Sequence, residues 1–522
     1  MSQEIFLTIY FVASCLVLLT GFPVAFTLGG IALIFAGIGA SIGLFNLSFL
    51  GYFPERLYGI ITNDVLVAIP IFVAMGVILE RSKVAEELLY SMARLFGRLP
   101  GGLGISVTIV GALLAASTGI VGATVVAMGL VSLPLMLRHR YSPRLASGSI
   151  AAAGTLGQII PPSTVLILLG DALSPAYQQA QLKQGNFAPE PLSVGDLFAG
   201  ALFPGLALAG LYIMWQIAVA IFAPQLCPPV REESVPAEKH PLREALRALV
   251  APLVLIIAVL GSIIAGIATP TEAASVGAVG AIFLAGLRGG QTGNSLIVLA
   301  IVALVVALGL QAFFDLRVAR SQIPLGDVVA IFLAAVSVVL VLTGLGVSFL
   351  KLHKAGVMAS AFQSTVKITV MIFSIMIGAA LFSLVFRGMG GDDIIHEALS
   401  GLPGGLTTAI VVVLGVMFLL GFFIDIVEII YIVVPLVAPV LFVLGADPVW
   451  LGVMMGIVLQ TSFLTPPFGY ALFYLKGVAP ASIRTTDIYR GVIPFVGVQI
   501  LALILIWFLP QIALWLPAAM GR

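Results

Sequence analysis

The sequence predicts an all-α polytopic membrane protein on three observations: 61% of the 522 residues are hydrophobic, only 9% are charged, and the mean hydropathy is +1.19. A soluble domain carries roughly 25% charged residues, and no globular core can hide this much apolar surface. Most of the chain must face hydrocarbon, where backbone polar groups are satisfied only within helices or closed barrels. Barrel strands alternate with period two, and apolar runs such as Leu296 to Leu310 do not. A helical crossing takes about 20 residues, so the chain has room for about a dozen.

Twelve apolar blocks can cross, near 5–20, 22–44, 63–80, 145–170, 197–223, 249–267, 269–287, 295–314, 327–350, 367–386, 449–475 and 491–518. The first follows Met1-Ser2-Gln3-Glu4, which lacks the basic region and cleavage pattern of a signal peptide, so it reads as a retained span. Inside loops retain Lys and Arg. With the amino terminus outside, eighteen of the 24 basic residues fall inside, so both termini are predicted outside; Arg317 and Arg320 are the local exception. Two further blocks, 103–137 and 406–443, are interrupted midway by Gly or polar residues and read as re-entrant helical hairpins. Segments 80–98 and 392–402 alternate charged and apolar residues and read as amphipathic arms on opposite interfaces.

A net charge of +1 offers no basic field for nucleic acid. Cys15 and Cys227 are too few and too far apart for a disulfide or metal framework, and His139, His240, His353 and His396 lack metal-ligand spacing. No catalytic constellation is present, and no cofactor is expected.

The most informative feature is a duplication. Leu99-Pro100-Gly101-Gly102 recurs 303 residues later as Leu402-Pro403-Gly404-Gly405, and Ile160-Pro161-Pro162 recurs 305 residues later as Thr465-Pro466-Pro467. An earlier pair, Pro23 and Pro270, is offset by only 247, so about 56 extra residues entered the second copy. The expected organisation is a first repeat over 1–230 with an inner hairpin at 103–137, a basic cytoplasmic linker over 231–248, and a second repeat over 249–522. The second repeat holds a two-helix insertion near 288–355 and an outer hairpin at 406–443. The basic-residue pattern places the two Leu-Pro-Gly-Gly units on opposite sides, so the copies are predicted to be inverted. Inverted repeats with broken helices at matching positions point to a secondary transporter with its site near the midplane.

The chemistry gathers at the breaks and interruptions. Consecutive prolines delete two amide donors, so the helix should open between Gly157 and Ser163 and again between Ser462 and Gly469. Carbonyls freed at membrane depth need a partner, and a freed carbonyl is a hard oxygen ligand suited to Na⁺. Ser117-Thr118-Gly119 through Thr124 supplies a tight reversal and hydroxyls for a hairpin tip. The matching tip carries Asp425 and Glu428 in an apolar block, with no Lys or Arg between Arg387 and Lys476. Buried carboxylates are costly unless protonated, paired or bound to a cation, so Asp425 is the first candidate for a cation ligand. Glu428 is left to protonation, a distant partner or solute. Thr269-Pro270-Thr271-Glu272 has the pattern of a helix start.

At these motifs the chain resembles, along essentially its whole length, the large permease subunit of tripartite ATP-independent periplasmic (TRAP) transporters. The resemblance implies an elevator-type importer of organic anions, often carboxylates, coupled to Na⁺. It also implies a small four-helix membrane subunit, a periplasmic substrate-binding protein and residence in the bacterial inner membrane, both termini being periplasmic. By position it implies one Na⁺ site from Thr118, Ile120, Gly157, Ile160 and Pro162, and a second from Asp425, Ser462, Thr465 and Phe468. Substrate is then expected between the tips, near Ser117, Thr155, Ser163, Glu428, Thr461 and Pro467. The first tip departs from the Ser-Gly-Ser-Ser common in the family, reading Thr118-Gly119-Ile120-Val121. The competing reading is a stand-alone ion-coupled anion exchanger that needs no binding protein.

Overall fold

The computed structural model describes residues 2–82, 84–119, 121–230, 241–290, 293–320 and 323–521, with the backbone alone at 84–85, 115–118, 241–242, 244–245, 247–248 and 312. Ile120 and residues 231–240 of the expected linker lie outside these residues, and 241–248 form the first turns of a helix.

Among the described residues all regular structure is helical. The chain opens with α1 (Gln3–Leu18), capped by the Ser2 hydroxyl, and α2 (Val24–Ser41), which starts after Pro23. A 3₁₀ turn (Leu47–Tyr52) leads into α3 (Phe53–Ile61), and a bend of 49° leads on into α4 (Asp64–Arg81). Asn63 makes the joint, its side chain accepting from the Val65 amide 3.0 Å away. No element is expected over 47–61, because Pro54, Glu55 and Arg56 break the apolar run. The first amphipathic arm is α5 (Val84–Phe96), and the first interrupted block folds as α6 (Gly102–Thr118) and α7 (Val121–Arg138), packed on each other. Then come α8 (Pro143–Thr155), α9 (Thr164–Lys183) and α10 (Val194–Phe222), the last begun by a reciprocal Ser193–Asp196 cap.

The second half follows. It runs through α11 (Pro241–Ile264), α12 (Pro270–Arg288), α13 (Asn294–Phe313), α14 (Leu325–Lys354), α15 (Val357–Gly388) and the amphipathic α16 (Gly391–Ser400). A hairpin of α17 (Gly405–Leu420) and α18 (Ile426–Val443) precedes the broken pair α19 (Pro448–Leu464) and α20 (Tyr470–Val478), and α21 (Thr485–Phe508) and α22 (Gln511–Ala519) close the chain. Thr269 and Glu272 cap α12 reciprocally, each side chain accepting from the other's amide.

Nine helices among the described residues are long and apolar enough to cross a bilayer, ten if the bent α3–α4 pair counts as one crossing, against about twelve expected. Proline divides two blocks read as single crossings, 145–170 into α8 and α9 and 449–475 into α19 and α20, and α1 has only 16 residues; two of the nine, α7 and α18, are arms of the blocks read as re-entrant hairpins.

Burial shows where the core lies. In α18, 83% of residues are buried, against 17% of the most apolar stretches of α13 and of α14. With α8 and α19, which are buried over most of their length, α18 forms the centre, while α13 and α14 pair at the periphery and reach the rest through α12 and α15. Lipid supplies little hydrophobic drive between helices, so close backbone approach has to hold them. This happens between α8 and α21, where a β-carbon on Gly148 would fall 2.1 Å from the Gly491 carbonyl oxygen. In the α13–α14 loop, Arg317 pairs with Asp315 at 2.7 Å and Arg320 with Asp327 at 3.1 Å, so the two exceptional arginines are charge-compensated. Arg317 holds the Asp315 carboxyl well below the usual carboxylate range.

Candidate functional site at two matched breaks

Both proline pairs interrupt their helices. After α8 a 3₁₀ turn (Leu156–Gln158) gives way to irregular backbone until Ser163 caps α9, its hydroxyl accepting from the Leu166 amide at 3.4 Å. The same hydroxyl donates to the Gln158 carbonyl at 2.7 Å. Among the described residues no donor reaches the carbonyls of Gly157, Ile160 or Pro162. At the second break, α19 ends at Leu464 and α20 starts at Tyr470. There the Thr461 and Thr465 hydroxyls each donate to the carbonyl four residues back at 2.7 Å. The Pro467 carbonyl accepts from the Tyr489 hydroxyl at 2.8 Å, and both Pro–Pro bonds are cis.

Each hairpin tip touches the break of its own copy. At the first tip Gly119 has φ +60°, and a β-carbon on it would lie 3.0 Å from Thr164 Oγ1 and 3.6 Å from the Pro162 oxygen. Glycine is required there by conformation and by space. At the second tip a β-carbon on Gly421 would lie 2.2 Å from Ser462 Oγ, which itself donates to the Phe418 carbonyl at 2.9 Å. Phe468 is 44% exposed and its ring lies 5.3 Å from that of Phe423 on the tip. The two halves of the chain also interlock, α9 packing on α18 and α7 on α20.

Asp425 is the residue that caps α18, so its carboxylate stands at the positive end of the helix dipole. Glu428 is one turn on and 5% exposed, and Tyr470 is within Coulombic range of both carboxylates. Among the described residues neither carboxylate has a salt-bridge partner. These residues also assemble no cluster of three or more His, Cys, Asp or Glu. The donor set is instead carbonyl and hydroxyl oxygen with one carboxylate, chemistry that suits a hard monovalent cation.

The expected residues thus sort into groups. Pro162 meets the first tip at Gly119, Gly157 lies in the 3₁₀ turn that packs on α6 and α7, and Ile160 packs on Gly205 of α10; Ser462 and Phe468 meet the second tip, where Asp425 starts α18, while the Thr465 hydroxyl bonds within its own break. Of Ser117 and Thr118 the backbone alone is described, ending α6 at the tip. Thr155, like Ser163 and Thr461, is fully buried, and it meets Gln460, whose amide donates to Thr155 Oγ1 at 3.4 Å. Tyr212 from α10 and Gln499 from α21 complete this buried cluster, the Gln499 amide donating to the Tyr212 hydroxyl at 2.7 Å. A second polar group, Asn63, Asp171 and Tyr431, ties the α3–α4 joint to α9 and α18. The sequence reading names neither cluster. Asp171, a carboxylate in the apolar run after the first break, is the signal that points to the second.

An all-helical membrane architecture of this kind is shared with a solved transporter. The fold matches YdaH of Alcanivorax borkumensis with a TM-score of 0.54, covering 98% of each chain at 16% identity. The chain belongs to the family of the DctM component of tripartite ATP-independent periplasmic transporters, whose model matches residues 11–348 and 295–512. Among its relatives is the C4-dicarboxylate TRAP transporter large permease protein DctM of Vibrio cholerae, 29% identical over 94% of this chain and 95% of the relative. The ectoine TRAP transporter large permease protein TeaC of Halomonas elongata is 25% identical, and the sialic acid protein SiaM of Vibrio cholerae 24%, each over 96% of both chains.

Proposed function

We propose that this chain is the membrane permease of a Na⁺-coupled, binding-protein-dependent secondary transporter that imports an organic anion, its solute a carboxylate, by an elevator movement. The observation that carries the reading is the pair of matched breaks, each met by its own hairpin tip, with unpaired carboxylates at the second. Freed carbonyls and an unpaired carboxylate at membrane depth are expensive unless a cation is near. Thr118, Ile120, Gly157, Ile160 and Pro162 would hold one Na⁺, and Asp425, Ser462, Thr465 and Phe468 the other. Neutralised in this way, the oxygens of each tip no longer repel one another, and the tip is ordered for solute. Ser117, Ser163, Glu428, Thr461 and Pro467 would then face the solute, whose carboxylate suits the helix ends at the tips. Thr155 would act from behind the first break.

The common order of hairpin, broken helix and closing helix in the two halves supports an inverted repeat. On this reading α13 and α14 are a peripheral insertion, and the chain sits in the bacterial inner membrane with both termini periplasmic. Family membership supports a small membrane subunit and a periplasmic binding protein as partners, and relatives named for C4-dicarboxylate and sialic acid support an organic acid as cargo. The test is uptake by proteoliposomes holding this chain, its small subunit and its binding protein. An inward Na⁺ gradient should drive accumulation, and Asp425→Ala should abolish the Na⁺ dependence. Uptake indifferent to the gradient refutes sodium coupling; uptake by this chain alone refutes the need for a binding protein.

A further inference from the structure

Beside the bend between α3 and α4, a hollow of about 500 Å³ opens with α3, α4 and α15 on one flank and α9 and α18 on the other. Its polar walls include Arg56, Asn63, Asp171, Gln179, Ser383, Arg387 and Tyr431. Arg56 and Arg387 stand within Coulombic range of each other and of Asp392. Asp392 Oδ1 lies 3.5 Å from Arg387 Nε, which has no hydrogen-bond partner among the described residues. Arg387 donates from one terminal nitrogen to the Pro435 carbonyl at 2.7 Å. Among the described residues Arg56 makes no ion pair or hydrogen bond. Asp171 also lines the hollow, its oxygens accepting from the Asn63 amide at 2.6 Å and the Tyr431 hydroxyl at 2.8 Å, so the charged end of a bound anion would lie toward Arg56 and Arg387. Two guanidinium groups thus share the Asp392 carboxylate, and Arg56, which has no direct partner among the described residues, lines a space large enough for a small solute. Guanidinium forks match carboxylate geometry in two-point contact.

We propose that this hollow binds the carboxylate of a small organic anion at a site separate from the cleft between the hairpin tips. Arg56 and Arg387 hold the charged end, and Gln179 and Ser383 meet polar substituents. The proposal rests on the reading of the chain as an anion permease and names a station on the solute's route. None of the oxygens assigned to Na⁺ lines it, so binding here does not need Na⁺.

That independence supplies the test. The full chain with its small subunit is placed in phosphatidylcholine nanodiscs in choline buffer without Na⁺, and ¹⁹F line broadening of 2,2-difluorosuccinate is recorded. Wild type and Asp425→Ala should broaden the probe equally, while Arg56→Gln should reduce the effect at least fivefold. Arg56→Lys should restore part of it. Arg56 has no other partner to lose, so the Arg56→Gln protein should keep the wild-type melting temperature. Equal broadening by wild type and Arg56→Gln, broadening that appears only with Na⁺, or full displacement of the probe by phosphatidylglycerol in the nanodiscs would each overturn the proposal. Displacement would assign the hollow to a lipid phosphate. Failure of sodium-driven uptake, by contrast, would leave this result intact and count against the coupling reading alone.

Discussion

Gly119 shows how one missing side chain sets the first tip. Its left-handed backbone costs any other residue roughly 1–2 kcal/mol, and a β-carbon would press on Thr164 Oγ1 at 3.0 Å. Gly119→Ala should therefore push the tip off the break and lower uptake at least tenfold while membrane expression stays near wild type; unchanged uptake would show that the tip need not seat there. Gln460 acts on a different quantity. Its bond to Thr155 and the Gln499 bond to Tyr212 are buried, and each such bond contributes about 1 kcal/mol. Gln460→Leu and Tyr212→Phe should each lower the melting temperature in detergent. Their double mutant should lose less than the sum, because they belong to one network; strict additivity would dissolve the network. The sequence makes Asp425 and the proline pairs legible, because a carboxylate or a lost amide in an apolar run needs an explanation. It leaves the partner of Thr155 open: a hydroxyl beside a break fits a solute contact or a buried bond equally well, and nothing local announces that Gln460 arrives to donate to it.

At the scale of elements, the hairpins, both arms and both breaks are legible because each follows from a local rule: glycine reversal, charge alternation or a deleted donor. What is not legible is closeness between elements. Nothing local in Gly148 says that it lies against Gly491 some 340 positions away, and Gly210 looks the same in sequence yet faces open space. Overpacking a tight contact costs about 1–3 kcal/mol. Gly148→Val should thus cut the yield of monodisperse protein and its melting temperature, while Gly210→Val, with nothing within 4 Å of a new β-carbon, should leave both unchanged. Similar losses in the two variants would mean that the α8–α21 contact is not what holds these helices. The helix over 47–61 escapes the sequence reading for a related reason: its residues suit an interface-lying approach to α4 as well as a loop.

At the scale of the whole molecule, the proposed elevator divides the chain into the hairpins with their broken helices and the helices around them. Two contacts cross that division on one side: Asn63 to Asp171 at 2.6 Å and Arg387 to the Pro435 carbonyl at 2.7 Å. If one body slides past the other, these contacts must part in every cycle. A cysteine pair replacing Asn63 and Asp171, bridged by mercuric ion, should stop uptake, and dithiothreitol should restore it; normal transport by the bridged protein would rule out a sliding movement along this seam. The sequence predicts an all-helical membrane chain, which the structure bears out, but not which helices ride and which stay. That depends on burial, visible in the contrast between the enclosed α18 and the peripheral α13 and α14.

Thr155 and Gln460 are 305 residues apart, the same spacing that separates the two proline pairs, and they touch. On the proposed inverted repeat these are corresponding positions, and the axis relating the halves would run close by. A single spectroscopic label placed there would sense both halves from one vantage point, and a lopsided state, with one half occupied and the other vacant, would betray itself as a loss of symmetry in that one signal.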